Sequence, residues 1–595
     1  MTDLLLIVPP FAFQDQPSLA AHLLQACARR EGLTVKVCYA NALLARRLGA
    51  DYRLVAQGSY SLMGERLFAR AAWGLPPLGR NAGLTFDWAS MFGTADYGLR
   101  DQPFVPFPPV PRPTLEDLFR IEAEVYAWTV EVAETLAGDY RAYGCTTSFE
   151  QNNAAFALLG ALKRRHPEAL TLVGGANAEG QLAQGLASLE PGVDVVFQGE
   201  SERAFVEVLK DWREGRKPAR RVVMGQLCRD LDALPEPTFD DFFDQVATPR
   251  VDLPYEASRG CWWGQRSPCL FCAYEPEKFT FRAKSADRVF ADWQALAQRY
   301  PGLRVQTTDL IMPPEYFTTL LPRLAEADLP LELYWEQKAD LTWDQLKLLK
   351  AAKVLEIQPG IENFSSALLG RIHKGARPSK SLNLLRWAAM LGVRVYWNLL
   401  WGIPGETLAD YQPVLHLIRL IPHLTPPFGL SQLLVLRHSR YQAEPQRWGL
   451  DRVDPVRTFA DVYPEGADLE HLSTFFHPTY EAETLRCPEF FETLHGLFTE
   501  WNQSFVGTDQ RRVLFLLPQG PDAYLLLDTR RLPDTTPAQG VDARRAASLL
   551  RSEPYEGTED QIWALEHHLA VVLDGDYVPL ALTTPEVMEK IVWCP

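Results

Sequence analysis

The chain has 595 residues, 47% of them hydrophobic and 23% charged, enough for roughly three or four domains with ample cores. A formal net charge of −16 and a pI near 5.3 argue against a nucleic-acid-binding role. No basic–apolar–small signal opens the chain and no apolar run reaches about 18 residues, so no membrane span is expected and a cytoplasmic location is.

Asp3–Pro10 is an apolar run ending in Pro-Pro, which predicts a buried parallel strand meeting a loop. Pro17 to Arg30 has helical periodicity, and Leu33 to Tyr39 reads as a second strand. Further strands are expected at Tyr143–Phe149, Leu170–Gly175 and Val193–Glu200, with a helix from about Glu150 to His166. Strands alternating with helices imply a doubly wound, Rossmann-like parallel sheet over residues 1–215, with its ligand site beyond the carboxyl ends of the strands. Those ends hold Pro10, Thr146-Thr147-Ser148, Gly174-Gly175, Asn177 and Gly199-Glu200, and small residues there let backbone approach a large ligand. An insert of about residues 55–135 interrupts the sheet. Six prolines between 103 and 113 make part of it extended, and it reads either as a cap on the sheet or as a cover for a ligand. Residues 216–250, with Leu234-Pro-Glu-Pro237, read as a linker.

The loop after Val251–Ser258 holds Cys261, Cys269 and Cys272 in the spacing C-x7-C-x2-C. The other six of nine cysteines are scattered and read as buried free thiols. Close spacing in a Cys-poor chain points to soft-metal ligation, and three ligands leave one position of an iron–sulfur cube open. The alternative is a zinc knuckle completed by a distant His or Cys. Alternation of strand and helix then resumes. Strands are expected at Arg304–Thr308, Leu331–Glu336, Val354–Ile357, Val393–Leu400 and Leu433–Arg437, with helices at Ser285–Tyr300, Thr342–Ala352 and Ser379–Leu391. Residues 441–595 form a C-terminal region. Within it a hairpin (Arg512–Leu517, Ala523–Thr529) and helices at Asp542–Arg551 and Thr558–Val572 suggest a small α+β, winged-helix-like module over about 508–595.

The cysteine loop resembles that of radical S-adenosylmethionine (SAM) enzymes, whose usual signature is C-x3-C-x2-C with an aromatic before the last Cys; here Phe271 takes that place. The seven-residue gap is a departure. Together with the opening Ser258-Arg-Gly-Cys-Trp-Trp-Gly264 it resembles the class B, cobalamin-dependent maturation proteins and C-methyltransferases of ribosomally made peptides. The resemblance implies a partial (βα)6 barrel over residues 251–440, with its active site at the strands' carboxyl ends. It assigns Cys261, Cys269 and Cys272 to a 4Fe–4S cluster, with SAM chelating the open iron. Asp309 stands where the family has Gly-Gly-Glu contacting the SAM amino group. Gly360 and Glu362 match the site near the ribose, and Gly402 and Gly405 the region near adenine. Glu336, Lys338 and Asn398 are inward-facing by alternation, and Lys338 reads equally well as an ion pair with Glu336.

In the first domain, the set Pro10, Thr146, Thr147, Ser148, Gly174, Gly175, Asn177, Gly199 and Glu200 resembles a cobalamin site. The usual Asp-x-His-x-x-Gly is missing, which implies either cobalamin without a protein His below cobalt or a domain that binds nothing. The implied activity is C-methylation of an unactivated carbon of a ribosomally made peptide, through a 5′-deoxyadenosyl radical and methylcobalamin. The implied partners are a flavodoxin- or ferredoxin-type reductant and a leader peptide gripped by strand addition, and the expected state is a monomer. The alternatives are transfer of a 3-amino-3-carboxypropyl group to a small molecule and, from another class, a non-catalytic metal-binding scaffold.

Overall fold

The computed structural model describes residues 2–56, 62–84, 104–106, 113–273, 275, 279–506, 511–533 and 535–593. Trp88, Phe92 and most of the proline-rich stretch fall outside these.

The first sheet has six parallel strands in the order Val35–Tyr39, Thr2–Val8, Tyr140–Thr146, Leu170–Gly174, Val195–Gln198, Val222–Met224. Its second strand in that order is apolar on both faces because both are covered. Leu4, Leu6 and Val8 pack into one core, and Leu5 and Ile7 into another. Helices Leu19–Arg30 and Glu202–Arg213 cover the first face, and Met63–Trp73, Leu115–Leu136 and Asn152–Arg165 the second. The chain reverses its direction of winding between Thr2–Val8 and Tyr140–Thr146, which opens a crevice at their carboxyl ends. Val222–Met224 lies inside the segment expected to be linker. It is a three-residue edge strand, too short for its alternation to register.

The second parallel sheet runs Asp252–Tyr255, Arg304–Thr307, Glu332–Gln337, Val354–Pro359, Arg394–Val395. At its amino end Arg304 joins Asp252 and Glu356, tying three strands in register, and Arg394 adds a second guanidinium to Glu356 at 2.6 Å. The fifth strand breaks at Tyr396-Trp397 and resumes as Asn398–Trp401. That segment pairs with Gly429–Gln432 and reaches the fourth strand through a bridge from Leu399 to Glu362. The sixth barrel strand is therefore Gly429–Gln432. Of the expected Leu433–Arg437, Val435–Leu436 instead joins an antiparallel sheet with Phe475–Tyr480 and Leu450–Pro455. Phe104–Pro106, from the insert, runs antiparallel to the sixth barrel strand and covers its outer edge.

The C-terminal part holds the expected hairpin as Leu514–Pro518 and Ala523–Asp528, extended by Ala538–Asp542. The expected helix at Thr558–Val572 stops at Glu566. Val571 and Val572 favour a strand, and Asp574-Gly575, both at positive φ, form the two-residue turn into Asp576–Pro579. Buried Arg386, on the barrel helix Pro378–Leu391, donates to the Leu550 and Ala581 carbonyls and joins this part to the barrel. Among the described residues no helix is long and apolar enough to cross a membrane.

Candidate functional site

The cysteine loop leaves the first barrel strand, and its base is closed by Ser258–Arg259 pairing antiparallel to Arg282–Ala283. Within it, Gln265 N–H donates to the Cys261 carbonyl at 2.8 Å, Gly264 N–H to Cys261 Sγ at 3.2 Å, and Cys272 N–H to the Cys269 carbonyl at 3.2 Å. The long first gap is thus spent on one helical turn over residues 261–267. Trp262 Nε1 donates to the Met312 carbonyl, Leu270 N–H to the Ile372 carbonyl, and Tyr441 N–H to the Leu270 carbonyl. Three separate elements hold the loop.

The three thiols feel one another electrostatically. Burial pushes Cys272 up to about 12 and raises Cys269, so the trio gains most when a cation compensates the thiolates. No three His, Cys, Asp or Glu side chains among the described residues converge tightly enough for one metal ion. Three thiols on one loop are the donor set that an iron–sulfur cube with one open iron uses.

At the barrel mouth the expected residues divide. Asp309 is fully buried. Its Oδ1 accepts from Ala257 and Ser258 N–H at 2.9 and 2.8 Å, and its Oδ2 from Trp335 Nε1 at 2.8 Å. Although burial pushes it up to about 7, its oxygens are spent on the turn that launches the cysteine loop. This corrects its expected contact with SAM. The Glu336 carbonyl accepts from Met312 N–H at 3.0 Å, its carboxylate makes no hydrogen bond among the described residues, and burial pushes that carboxyl up to about 8. Lys338 does not pair with Glu336: its ammonium lies 3.3 Å from the Trp263 ring centroid and 6.0 Å from that of Trp262.

Glu362 accepts from Lys374 Nζ at 2.6 Å. Gly360 makes room for that lysine, since a Cβ there would come within 2.2 Å of Nζ. Asn398 Oδ1 is buried with no partner, an acceptor left for a ligand. Gly402 and Gly405 are turn glycines at positive φ. The Gly402 N–H goes to buried Glu406 and the Gly405 N–H to the Glu481 carbonyl, so neither is a free donor.

A cavity of about 350 Å³ lies at the carboxyl ends of the first sheet. Leu6, Leu19, Leu23, Phe197 and Phe205 wall it. Thr146, Gly174, Gly175, Gly199 and Glu200 line it from the expected set, and Glu256, Arg259 and Thr308 from the barrel side. It is apolar, joins the two sheets and has no histidine in its lining. The glycine-lined backbone allows a large cofactor to approach closely, and the apolar walls suit an apolar part of one, such as the benzimidazole base of cobalamin. Pro10, Thr147, Ser148 and Asn177 do not line it. They brace the loops instead: Gln151 Nε2 donates to the Pro10 carbonyl, Ser148 N–H to Gln151 Oε1, Thr147 Oγ1 to the Gly174 carbonyl, and Asn177 Nδ2 to the Phe149 carbonyl. Gly175 is required, because a Cβ there would meet the Thr147 carbonyl oxygen at 2.4 Å.

Glu200 is spent on a buried ion-pair network. It receives Arg259 at 2.8 Å, Arg282 at 2.7 and 2.9 Å, and Cys228 N–H at 2.8 Å, while Arg259 also meets Glu202 and Glu256 at 2.6 and 2.9 Å. It lines the cavity and at the same time ties the first sheet to the cysteine loop. Arg259, Arg282 and Lys374 were not foreseen as site residues. Arg259 stands two residues before Cys261, a position that could have flagged it, whereas Lys374 follows a helix in a loop without a motif.

Residues 255–418 match the Radical SAM superfamily. An uncharacterised methyltransferase of Pyrococcus horikoshii is 24% identical over 246 residues, covering 37% of this chain and 52% of that protein. The heme chaperone HemW of Lactococcus lactis is 27% identical over 213 residues, covering 34% and 52%. The chain thus spans about half the length of the curated relatives it matches. Among solved structures, the cobalamin-dependent SAM radical enzyme OxsB with aqua-cobalamin and SAM bound superposes with a TM-score of 0.52 at 12% identity, covering 82% of this chain and 65% of that one. The radical SAM methyltransferase TsrM of Kitasatospora setae, with tryptophan and a SAM analogue bound, does so with a TM-score of 0.50 at 15% identity, covering 88% and 92%. At these identities the likeness is one of fold. Residues 255–418 thus match the radical SAM superfamily, and the fold of the chain, with its Rossmann-like parallel sheet, is similar to that of cobalamin-dependent radical SAM enzymes.

Proposed function

We propose that this chain is a cobalamin-dependent radical SAM methyltransferase that methylates a carbon of a ribosomally made peptide. The observation that carries the reading is the cavity shared between the glycine-lined ends of the first sheet and Glu256 and Arg259, at the base of the loop that holds the three thiols. Cys261, Cys269 and Cys272 would hold a 4Fe–4S cluster. Glu336, Asn398 and Glu362 would contact SAM, and Thr146, Gly174, Gly175 and Gly199 would border cobalamin. When bound, these groups supply one-electron cleavage of SAM and a transferable methyl group, chemistry no side chain offers. Glu336 would accept a hydrogen bond from the amino group of SAM, and Asn398 Oδ1 is a buried acceptor without a partner. With no histidine in the cavity lining, cobalt would lack a protein His below it. The uncovered edge of Ala538–Asp542, paired on one side only among the described strands, supports a peptide docked by strand addition.

The test is anaerobic reconstitution with iron, sulfide and cobalamin, followed by SAM carrying a labelled methyl group, a flavodoxin- or ferredoxin-class reductant and candidate precursor peptides. Label in a peptide carbon supports the reading. Methylthioadenosine as the product would replace it with aminocarboxypropyl transfer. Colourless protein that leaves SAM uncleaved would reduce the chain to a scaffold.

A further inference from the structure

The segment Ile372–Gly375 follows the helix Ser366–Arg371 and lies directly on the cysteine loop. Leu270 N–H donates to the Ile372 carbonyl at 3.1 Å. Gly375, at φ 63°, packs so closely on Trp263 that a Cβ would come within 2.2 Å of the indole. Between these two contacts, Lys374 sends its ammonium to 5.5 Å from the centroid of Phe271, the residue between Leu270 and Cys272.

Three features fix the charge there. Glu362 pairs with Nζ at 2.6 Å, Gly360 leaves the space it occupies, and Lys374 N–H donates to the Leu369 carbonyl at 3.0 Å. The ammonium bears on both Cys269 and Cys272. Its charge favours the thiolate form of both, and Glu362 opposes it on Cys269. Lys338, over Trp263, adds a weaker positive influence on Cys269.

We infer that Lys374 is a positioning residue that sets the redox poise of the cluster held by Cys261, Cys269 and Cys272. The inference rests on the reading that these cysteines hold a 4Fe–4S cluster. Reduction by a low-potential one-electron donor adds one negative charge to a centre already carrying three thiolates, with no bond made or broken. A fixed cation in a poorly solvated site favours the reduced form, because little water is present to screen it. Glu362 opposes that effect from behind.

The test uses the full chain, reconstituted anaerobically, with the reduced cluster followed by electron paramagnetic resonance during a redox titration. Lys374→Met lowers the ratio of reduced to oxidised cluster at a fixed potential about tenfold, equivalent to about 59 mV for one electron. Lys374→Arg keeps the ratio within about threefold of the parent. Glu362→Gln, which removes the opposing charge, moves the ratio the other way. That reversal of sign separates electrostatics from loosened packing, and it decides the matter if Lys374→Met fails to take up iron. Equal potentials in parent and Lys374→Met, or a downward shift in Glu362→Gln, overturn the inference. Parent protein that takes up no iron overturns the cluster assignment instead, and the two failures are read from different samples.

Discussion

Replacing Glu200 by Gln removes the charge at the centre of the tie between the first sheet and the cysteine loop. Burial alone would raise this carboxyl, yet the hydrogen bonds from Arg282, the charge of Arg259 and the Cys228 N–H hold it down to about 2, where 4.5 is ordinary. That gap corresponds to about 3 kcal/mol of preference for the ionised form in the folded protein. The side chain is only 9% exposed, so solvent screening removes little of it. Deleting one member of a buried pair costs about 3–5 kcal/mol by a separate route, since Arg259 and Arg282 are left short of counter-charge, and the two figures agree. Arg259 keeps Glu202 and Glu256, which favours the lower figure.

The assay is urea unfolding of parent and Glu200→Gln, monitored by tryptophan fluorescence, from pH 8 down to pH 3. Because the folded value is depressed, the stabilisation is full above about 4.5 and is lost as pH falls toward 2. The difference between the proteins is therefore flat from pH 8 to 5 and narrows below that. A difference under about 0.5 kcal/mol at pH 7, of the size of a surface pair, or one that widens in acid, would refute the reasoning.

Alanine at Cys261, Cys269 or Cys272 singly takes reconstituted iron from about four per chain to a small fraction of that, read by iron analysis and the visible spectrum. Burial holds Glu336 up to about 8 even with the Lys374 charge nearby, so accepting a hydrogen bond from the SAM amino group requires it to lose a proton. Affinity measured by calorimetry rises up to tenfold per pH unit between pH 6 and 8 and levels above, and Glu336→Gln abolishes the slope. Asp309→Ala orphans two backbone N–H groups and the Trp335 indole N–H. At about 1–3 kcal/mol for each unsatisfied donor, partly offset by removing a poorly solvated carboxylate, the loss is about 3–5 kcal/mol in denaturant unfolding.

Long, strongly patterned features were readable before the structure. The apolar run Leu4–Val8, the βα alternation through both sheets and the C-x7-C-x2-C loop each carry their signal within a short window. What escaped depends on contacts distant in sequence. Asp309 and Glu200 look like cofactor contacts at strand ends, but their carboxylates are consumed by backbone N–H groups and guanidiniums that only the folded chain brings there. The sixth barrel strand was displaced because Gly429-Leu-Ser-Gln432 is less apolar than the following Leu433-Leu-Val-Leu436, and apolar content alone favours the wrong segment. Lys374 is invisible for another reason: nothing around it is periodic, and its importance comes from an ammonium fitted above a glycine.

That fit has a hereditary consequence. Any side chain at residue 360, even a methyl group, would occupy the volume that the Lys374 ammonium fills. A descendant that gains alanine at 360 must therefore shift the flexible end of Lys374, and with it the pair with Glu362.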